Sequence, residues 1–367
     1  MDYLEKELVT KQMTEREYRS LNKKSYSSLK TFADDRKKYY KKYILLEDTS
    51  DEDLKNRATL IGSMVDCLLL SPNEFDNKFY ISTCNEVPTG LMLQFVEALY
   101  KRVRDCVDIE GKLTRPFADL SLEAYNDVKF DRDGNIVAFK RDSFEKVVEK
   151  FTENVKAYFD EICQVRPNGL MVITTSDIET AEKVKTELRS NSITSQVINL
   201  KSNTRFEVYE SYPIIYSYKS FEFKSLLDKL VIDHDEKTIQ PYDLKVTWDV
   251  ENFYEGYFLY RKSYIQVGLY HLGTMLVFKK QEKYKEYKIL PMKFIVADPN
   301  NYTSPLIYSI SESVLMNSFK GFEYKWRNYK GIDALIDDLK WHEETGIWNI
   351  SKENYENKGV VIIKEEG

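Results

Sequence analysis

Asp228, Asp243 and Lys245 are the residues whose types and spacing can do chemistry together. Segments 221–233 (FEFKSLLDKLVID) and 238–246 (TIQPYDLKV) are β-rich, and the polar stretch His234-Asp235-Glu236-Lys237 between them suits a hairpin. With Asp233 facing Thr238, the register sets Asp228 directly opposite Asp243. Facing side chains of an antiparallel pair lie about 4.5–5.5 Å apart at Cβ, where like charges destabilise. Positive charge is therefore needed between them, from a divalent cation or from a lysine. Strand alternation puts Lys245 on the same side as Asp243 and turns Leu244 the other way. Two carboxylates and the Leu244 carbonyl are hard oxygen donors of the kind Mg²⁺ or Mn²⁺ takes. The Lys245 ammonium beside them would orient or help deprotonate a water and offset charge on a phosphorane-like transition state. These are the parts needed for phosphodiester hydrolysis. An acid two residues before a lysine also occurs at Asp76/Lys78, Asp127/Lys129 and Asp338/Lys340, where no such frame surrounds it and a solvated face is the reading.

Two helices are needed to hold these groups. Residues 251–276 read as one long helix that tolerates three glycines, with Gln266 and Tyr270 one turn apart on one face and Lys262 one turn earlier. Residues 57–70 form a helix that is apolar almost all round except at Asp66. A buried carboxylate there needs a cation, a donor or a proton. A metal-ligand role is expected for Asp66, with pairing to an Arg or Lys as its structural alternative.

The order Asp, then Asp-x-Lys, then a helix bearing Gln-x-x-x-Tyr resembles the PD-(D/E)XK nuclease superfamily, in particular its exonuclease VIII (RecE) and RecB-like branch found in phages. The resemblance extends to 25–32 (SYSSLKTF), similar to that family's opening helix, and to 60–72 (LIGSMVDCLLLSP), similar to its Gly-x-x-x-His helix. Two departures stand out: Leu227 replaces the proline before the first Asp, and Asp66 stands where the branch often has His. The resemblance implies a mixed α/β fold, with a restriction-endonuclease-like core sheet flanked by helices and a mainly helical N-terminal elaboration. It implies Asp66, Asp228, Asp243 and the Leu244 carbonyl as ligands of Mg²⁺ (or Mn²⁺), and Lys245, Gln266 and Tyr270 as the remaining catalytic set. It further implies a phage- or prophage-encoded enzyme that resects double-stranded DNA ends, with a single-strand annealing protein as partner and a homo-oligomeric ring.

Composition sets the bounds. A chain of 367 residues with 42% hydrophobic content can bury one large core or two modest ones. No apolar run approaches the roughly 18–20 residues of a membrane span, and the charged start (MDYLEKELVT) has no apolar signal region. A soluble protein of the host cytoplasm is the expectation. Four scattered cysteines and three histidines do not make a zinc ribbon or an iron–sulfur site, and reduced thiols follow. A Gly-x-x-x-x-Gly-Lys-Ser/Thr loop is absent, which sets aside a nucleotide-driven motor. The net charge of −6 asks where phosphate contacts would come from. Residues 36–43 (RKKYYKKY) interleave basic and aromatic side chains, with smaller basic groups at 101–104 and 279–288. Lys37, Lys38, Lys41 and Lys262 are candidate DNA contacts, with the tyrosines as stacking surfaces; ordinary solvated helix faces over buried tyrosines are the alternative.

Along the chain we expect an arm at 1–24, a helical part of the nuclease domain at 25–190, a catalytic α/β core at 191–345 and a tail at 346–367. Helices are expected at 89–106 with Thr89 as N-cap, at 142–163, and from Ser176, whose capping box closes on Glu179. Strands are expected at 170–173, 196–200, 205–209, 214–218, 287–297 and 360–363, with 309–340 helical. Glu207 and Glu210 are further carboxylates that would reach the metal or end as exposed strand residues. An exonuclease, an endonuclease or single-strand trimming enzyme on the same site, and a non-catalytic DNA- or protein-binding module remain open. Two facing carboxylates without metal would repel DNA, which argues against the last.

Overall fold

The aromatic and β-branched run between 206 and 246 folds into three consecutive antiparallel strands: β1 (Phe206–Tyr218), β2 (Phe221–Asp233) and β3 (Thr238–Val246). They belong to a computed structural model that describes residues 13, 15–47, 57–84, 86–131 and 133–361. Strands β4 (Lys293–Ala297) and β5 (Leu306–Ser309) extend the sheet in the order β1-β2-β3-β4-β5. Strand β4 runs parallel to β3, the other neighbours are antiparallel, and the short strand Lys288–Ile289 pairs with the start of β3. The fold is thus mixed α/β.

The hairpin register is the expected one, running from Asp233 opposite Thr238 to Lys229 opposite Tyr242. There β3 changes partner. Its first half pairs with β2, and from Tyr242 to Val246 it pairs with β4. On the other side of β2 the ladder skips one position, with Glu210 opposite Lys229 and Tyr212 opposite Leu227. Ser211, between them, is left-handed at φ 51°. Asp228 therefore has no ladder partner on either flank. A kinked partner on one side and a diverging one on the other open the sheet at that residue, as bulges beside functional sites do.

Helix α3 (Ser263–Phe278) is buried along almost its whole length and packs on β1 and β2. Helices α1 (Tyr26–Asp34) and α2 (Arg57–Leu70) pack on α3 and β3 respectively. Ser25 and Ser28 close a capping box that starts α1. Farther on, α4 (Glu312–Lys320) and α5 (Ile332–Thr345) flank a two-residue hairpin of β6 (Gly321–Tyr324) and β7 (Arg327–Lys330). The Lys224 ammonium of β2 donates to the carbonyls of Tyr18, Arg19 and Leu21, satisfying the C-terminal end of helix Glu15–Ser20.

The chain divides into two compact units, residues 1–72 with 180–367, and residues 73–179. Helices α1 and α2 belong to the first unit, where they pack on α3 and β3, whereas 73–179 close a core of their own. That second core gathers Phe95, Leu99, Leu120, Ala124 and Ile162 from helices Gly90–Arg104, Phe117–Lys129 and Glu153–Val165. The expected strand at 170–173 belongs here, as Met171–Ile173 paired parallel to Phe79–Ile81. Buried Glu161 accepts from Ser82, from the Thr83 N–H and from the Thr83 hydroxyl.

Other expectations change in instructive ways. The helix expected at 251–276 is broken: a π-helical turn, Tyr254–Leu259, leads to left-handed Lys262 at φ 53°, and α3 starts only at Ser263. The apolar pattern runs through the break, so periodicity could not show it. Segments 205–209 and 214–218 are one strand, and 196–200 holds a helical turn, Ser195–Ile198. Residues 142–163 split into Phe144–Glu149 and Glu153–Val165, and 309–340 contain the β6–β7 hairpin as well as helices. Residues 287–297 hold two strands separated by Pro291. The helix after β-strand Met171–Ile173 is capped by Thr174 and Asp177, whose N–H groups and side chains bond reciprocally, rather than by Ser176 and Glu179. Thr89 is an N-cap by position without a side-chain bond. Val360 and Val361 are not in a strand, and the rest of the segment expected at 360–363 lies outside the described residues. Among the described residues, no helix is long and apolar enough to cross a membrane.

Candidate functional site

At the opening between β2 and β3, the Leu244 N–H donates to Oδ2 of Asp228 at 2.7 Å. A side-chain carboxylate thus takes the place of the backbone acceptor that a continued ladder would supply. Asp228 itself is half-buried on β2. Burial first, then the negative charges of Asp243 and Asp66, push its proton affinity well above the ordinary carboxylate range, with Lys245 and the Leu244 N–H opposing. Asp66, half-buried on α2, is therefore close enough to act on Asp228 through its charge.

Asp243 is 2% exposed and is held from two directions. Nε2 of Gln266 donates to Oδ1 at 2.6 Å, and the Lys245 ammonium forms an ion pair with Oδ2. That second oxygen receives no aligned hydrogen bond, and neither does Oε1 of Gln266. Burial disfavours the charge on Lys245, but Asp243, Tyr257 and Asp228 outweigh it, so the ammonium holds its proton above the usual lysine range. Lys245 also donates weakly to the Leu244 carbonyl at 3.4 Å. Tyr270, one turn along α3 from Gln266, has its phenol pushed up by burial and by Asp243 and Asp228. The catalytic set Lys245, Asp243, Asp228, Gln266 and Tyr270 is thus brought together, with Asp66 beside it.

Asp228, Asp243 and the Leu244 carbonyl are hard oxygen donors of the kind a divalent cation takes, and among the described residues the Lys245 ammonium is the cation that the two acids act on. Among the described residues, no three His, Cys, Asp or Glu side chains group closely enough to hold a metal alone.

Sequence reasoning missed Tyr26 of α1. Its hydroxyl donates to the Arg261 carbonyl at 2.7 Å, and after burial its largest electrostatic influence is Lys245. The signal was the SYSSLKTF segment itself, read as a helix and not as a contributor to the site. Glu207 and Glu210 do not join the site. Glu207 is held by Lys283, Tyr284, Tyr209 and His234. Glu210 pairs with Lys201 and Lys229, and Lys229, next to Asp228, points to the opposite side of β2.

Of the candidate DNA contacts, Lys37 and Lys41 are exposed, Lys38 is half-buried, and Lys262 is paired with Asp34. Two tyrosines of that segment are engaged within the protein. Tyr39 is fully buried, and Tyr39 and Tyr40 stack on Trp348. The basic group at 101–104 is engaged through Arg102 with Asp127 and Glu123. No disulfide joins the four cysteines.

No protein-family model matches the chain, and no curated protein is similar to it in sequence. Among solved structures, the chain is similar to one from Eubacterium rectale described as "Putative exonuclease", over 98% of this chain and 97% of that one, at 12% identity and a TM-score of 0.45.

Proposed function

We propose that this protein is a metal-dependent deoxyribonuclease of PD-(D/E)XK type that hydrolyses phosphodiester bonds, acting as an exonuclease on double-stranded DNA ends. The observation that carries the reading is the group at the sheet opening: Asp228 and Asp243 within reach of each other's charge, with Lys245 on Asp243 and Gln266 behind it. A binding protein gains nothing from two buried acids at one point, whereas a phosphodiesterase needs them. Asp228, Asp243 and the Leu244 carbonyl would hold Mg²⁺ or Mn²⁺, with Asp66 joining through a water. The bound ion would supply Lewis acidity and a more acidic water.

The protein's own groups have separable tasks. Lys245, ion-paired with Asp243, would act as a charged donor that positions the attacking water and steadies the anionic phosphorus centre. Gln266 fixes the carboxylate plane of Asp243. Tyr270, neutral at physiological pH because its proton affinity is raised, offers a hydroxyl to the scissile strand or to Gln266. Phage-type recombination, an annealing partner and a ring-shaped homo-oligomer extend this proposal by resemblance.

The test is digestion of end-labelled linear duplex beside a covalently closed circle, with Mg²⁺, Mn²⁺ or EDTA, for the native protein and Lys245→Ala. Progressive loss of linear DNA alone, requiring metal and Lys245, is the expected result. Nicking of the circle would replace the exonuclease by an endonuclease, and no metal-dependent cleavage of either would end the catalytic reading.

A further inference from the structure

The β6–β7 hairpin is built at a cost that its fold does not explain. Its two-residue turn is Lys325-Trp326, and both residues are left-handed, at φ 46° and 64°. Such turns favour Asn-Gly, and a bulky aromatic there is an outlier. Trp326 is nonetheless 79% exposed, so burial gives nothing back. The hairpin is not loose. Tyr324 and Lys325 bond to Glu255 of the π-helical turn, Tyr264 donates to the Lys330 carbonyl, and Phe322 and Tyr329 stack at 4.8 Å. At its base Gly321 is left-handed at φ 86°, and an added Cβ would meet the Tyr329 carbonyl at 2.7 Å. A rigid mount thus presents a strained, solvent-facing indole.

Beside that mount lies a cleft of about 690 Å³ lined by Lys30, Tyr260, Arg261, Lys262, Arg327 and Lys330, among others. Three of its cations are engaged: Lys30 and Lys262 with Asp34, and Lys330 with Asp338. Arg261 and Arg327 make no ion pair with a carboxylate among the described residues. Arg261 lies over the rings of Tyr257 and Tyr260 instead, and Tyr260 is 73% exposed. Guanidinium groups without carboxylates, next to exposed aromatic faces, match a chain of alternating phosphates and flat bases. A duplex would keep its bases stacked on each other, leaving Trp326 and Tyr260 nothing to cover.

We infer that the Arg261–Arg327 cleft and the Trp326 hairpin tip form a binding surface for single-stranded nucleic acid. Phosphates lie against Arg261 and Arg327, and bases stack on Trp326 and Tyr260. As a route for one strand toward the sheet opening, the inference rests on the nuclease reading, because the Arg261 carbonyl is bonded by Tyr26, the residue that lies in the field of Lys245.

The test is fluorescence anisotropy of a labelled oligothymidylate in EDTA, set beside a blunt duplex of the same length. Trp326→Ala, and the double change Arg261→Ala with Arg327→Ala, are each expected to weaken oligonucleotide binding about tenfold or more. The double change should also flatten the salt dependence by about one unit of slope per arginine. Trp326→Phe should recover most of the binding, and duplex affinity should change little in Trp326→Ala. Because Trp326 is exposed, an unchanged thermal melt checks that the variant is folded. Oligonucleotide affinity unaltered in Trp326→Ala, or an equal loss for oligonucleotide and duplex, overturns the inference. Since no metal and no cleavage enter the assay, Trp326-dependent binding by a protein that cleaves nothing would leave this surface standing while the catalytic reading fell.

Discussion

The N–H of Leu244 bonds to the Asp228 carboxylate, although Asp228 lies on the strand that has just been its neighbour's ladder partner. The consequence is a division of labour between two facing acids. Asp228 is satisfied by a backbone donor and, with Lys245 at a distance opposing, is crowded by the charges of Asp243 and Asp66. Asp243 is the counter-ion of Lys245 and the acceptor for Gln266. Their chemical identity is the same, and their electrostatic surroundings are opposite.

Amidation should therefore act in opposite directions at the two positions. In EDTA, Asp228→Asn removes a crowded charge, keeps an acceptor for the Leu244 N–H, and is expected to raise stability by about 1 kcal/mol, the scale of one pKa unit. Asp243→Asn strands the Lys245 ammonium in a buried setting and is expected to cost about 3–5 kcal/mol. Thermal denaturation of both variants checks this, and a stabilised Asp243→Asn would reverse the assignment. Both variants should lose metal binding and cleavage.

Gln266 touches no substrate in this arrangement and acts through Asp243. Gln266→Ala should reduce cleavage about tenfold, chiefly in kcat, by letting the Asp243 carboxylate rotate. Gln266→Glu places a third carboxylate against Asp243 and should tighten metal binding at high pH while destabilising the metal-free protein. Isothermal titration with Mn²⁺ beside kinetics would separate these effects; an unchanged kcat in Gln266→Ala would reduce Gln266 to a packing role.

Away from the site, Glu207 should shape the acid limb of stability. Although burial works to raise it, Lys283, Tyr209 and Tyr284 hold its pKa down at about 2, against an ordinary 4.5. A depressed carboxylate stabilises the fold above its unfolded pKa, and that contribution fades as pH falls from 4.5 toward about 2. Lys283 is largely exposed, so solvent screening reduces the contribution to about 1–2 kcal/mol. Glu207→Gln should be less stable than the native protein at neutral pH by that amount, and the two stability curves should converge as pH falls to about 2. Parallel curves across that range would show that the cluster is not coupled to folding.

The hairpin register was legible because a local rule decides it: a four-residue polar turn sets strand pairing, whereas the helix at 26–34 was expected only through the resemblance of SYSSLKTF to a family's opening helix. Continued one pair further, that register would set Asp228 opposite Asp243, but the ladder ends at Lys229 and Tyr242 and the two acids act on each other where the strands part. The break at Lys262 was not legible, since an apolar run reads as helix whether or not one residue turns left-handed in its midst. The β6–β7 hairpin was hidden for a related reason: its turn carries Lys-Trp rather than the Asn or Gly that announces such turns. Tyr26 reaches Arg261 through tertiary packing, and no spacing in the chain connects them.

Lys245 offers the sharpest test of how charge is used at the sheet opening. If it serves as a charged donor, Lys245→Gln should lower kcat by about 100- to 1,000-fold with little change in KM for DNA, as loss of one preorganised charge in a dry site does. The pH profile of the residual activity should keep its shape, because a group that stays protonated does not contribute a limb. Lys245→Arg should recover part of the rate, retaining charge with a bulkier and less well placed head. Were Lys245 instead the base, Arg would restore nothing, and the basic limb of the native profile would vanish in Lys245→Gln. Single-turnover cleavage across pH, on variants shown to bind Mn²⁺ normally, distinguishes the two.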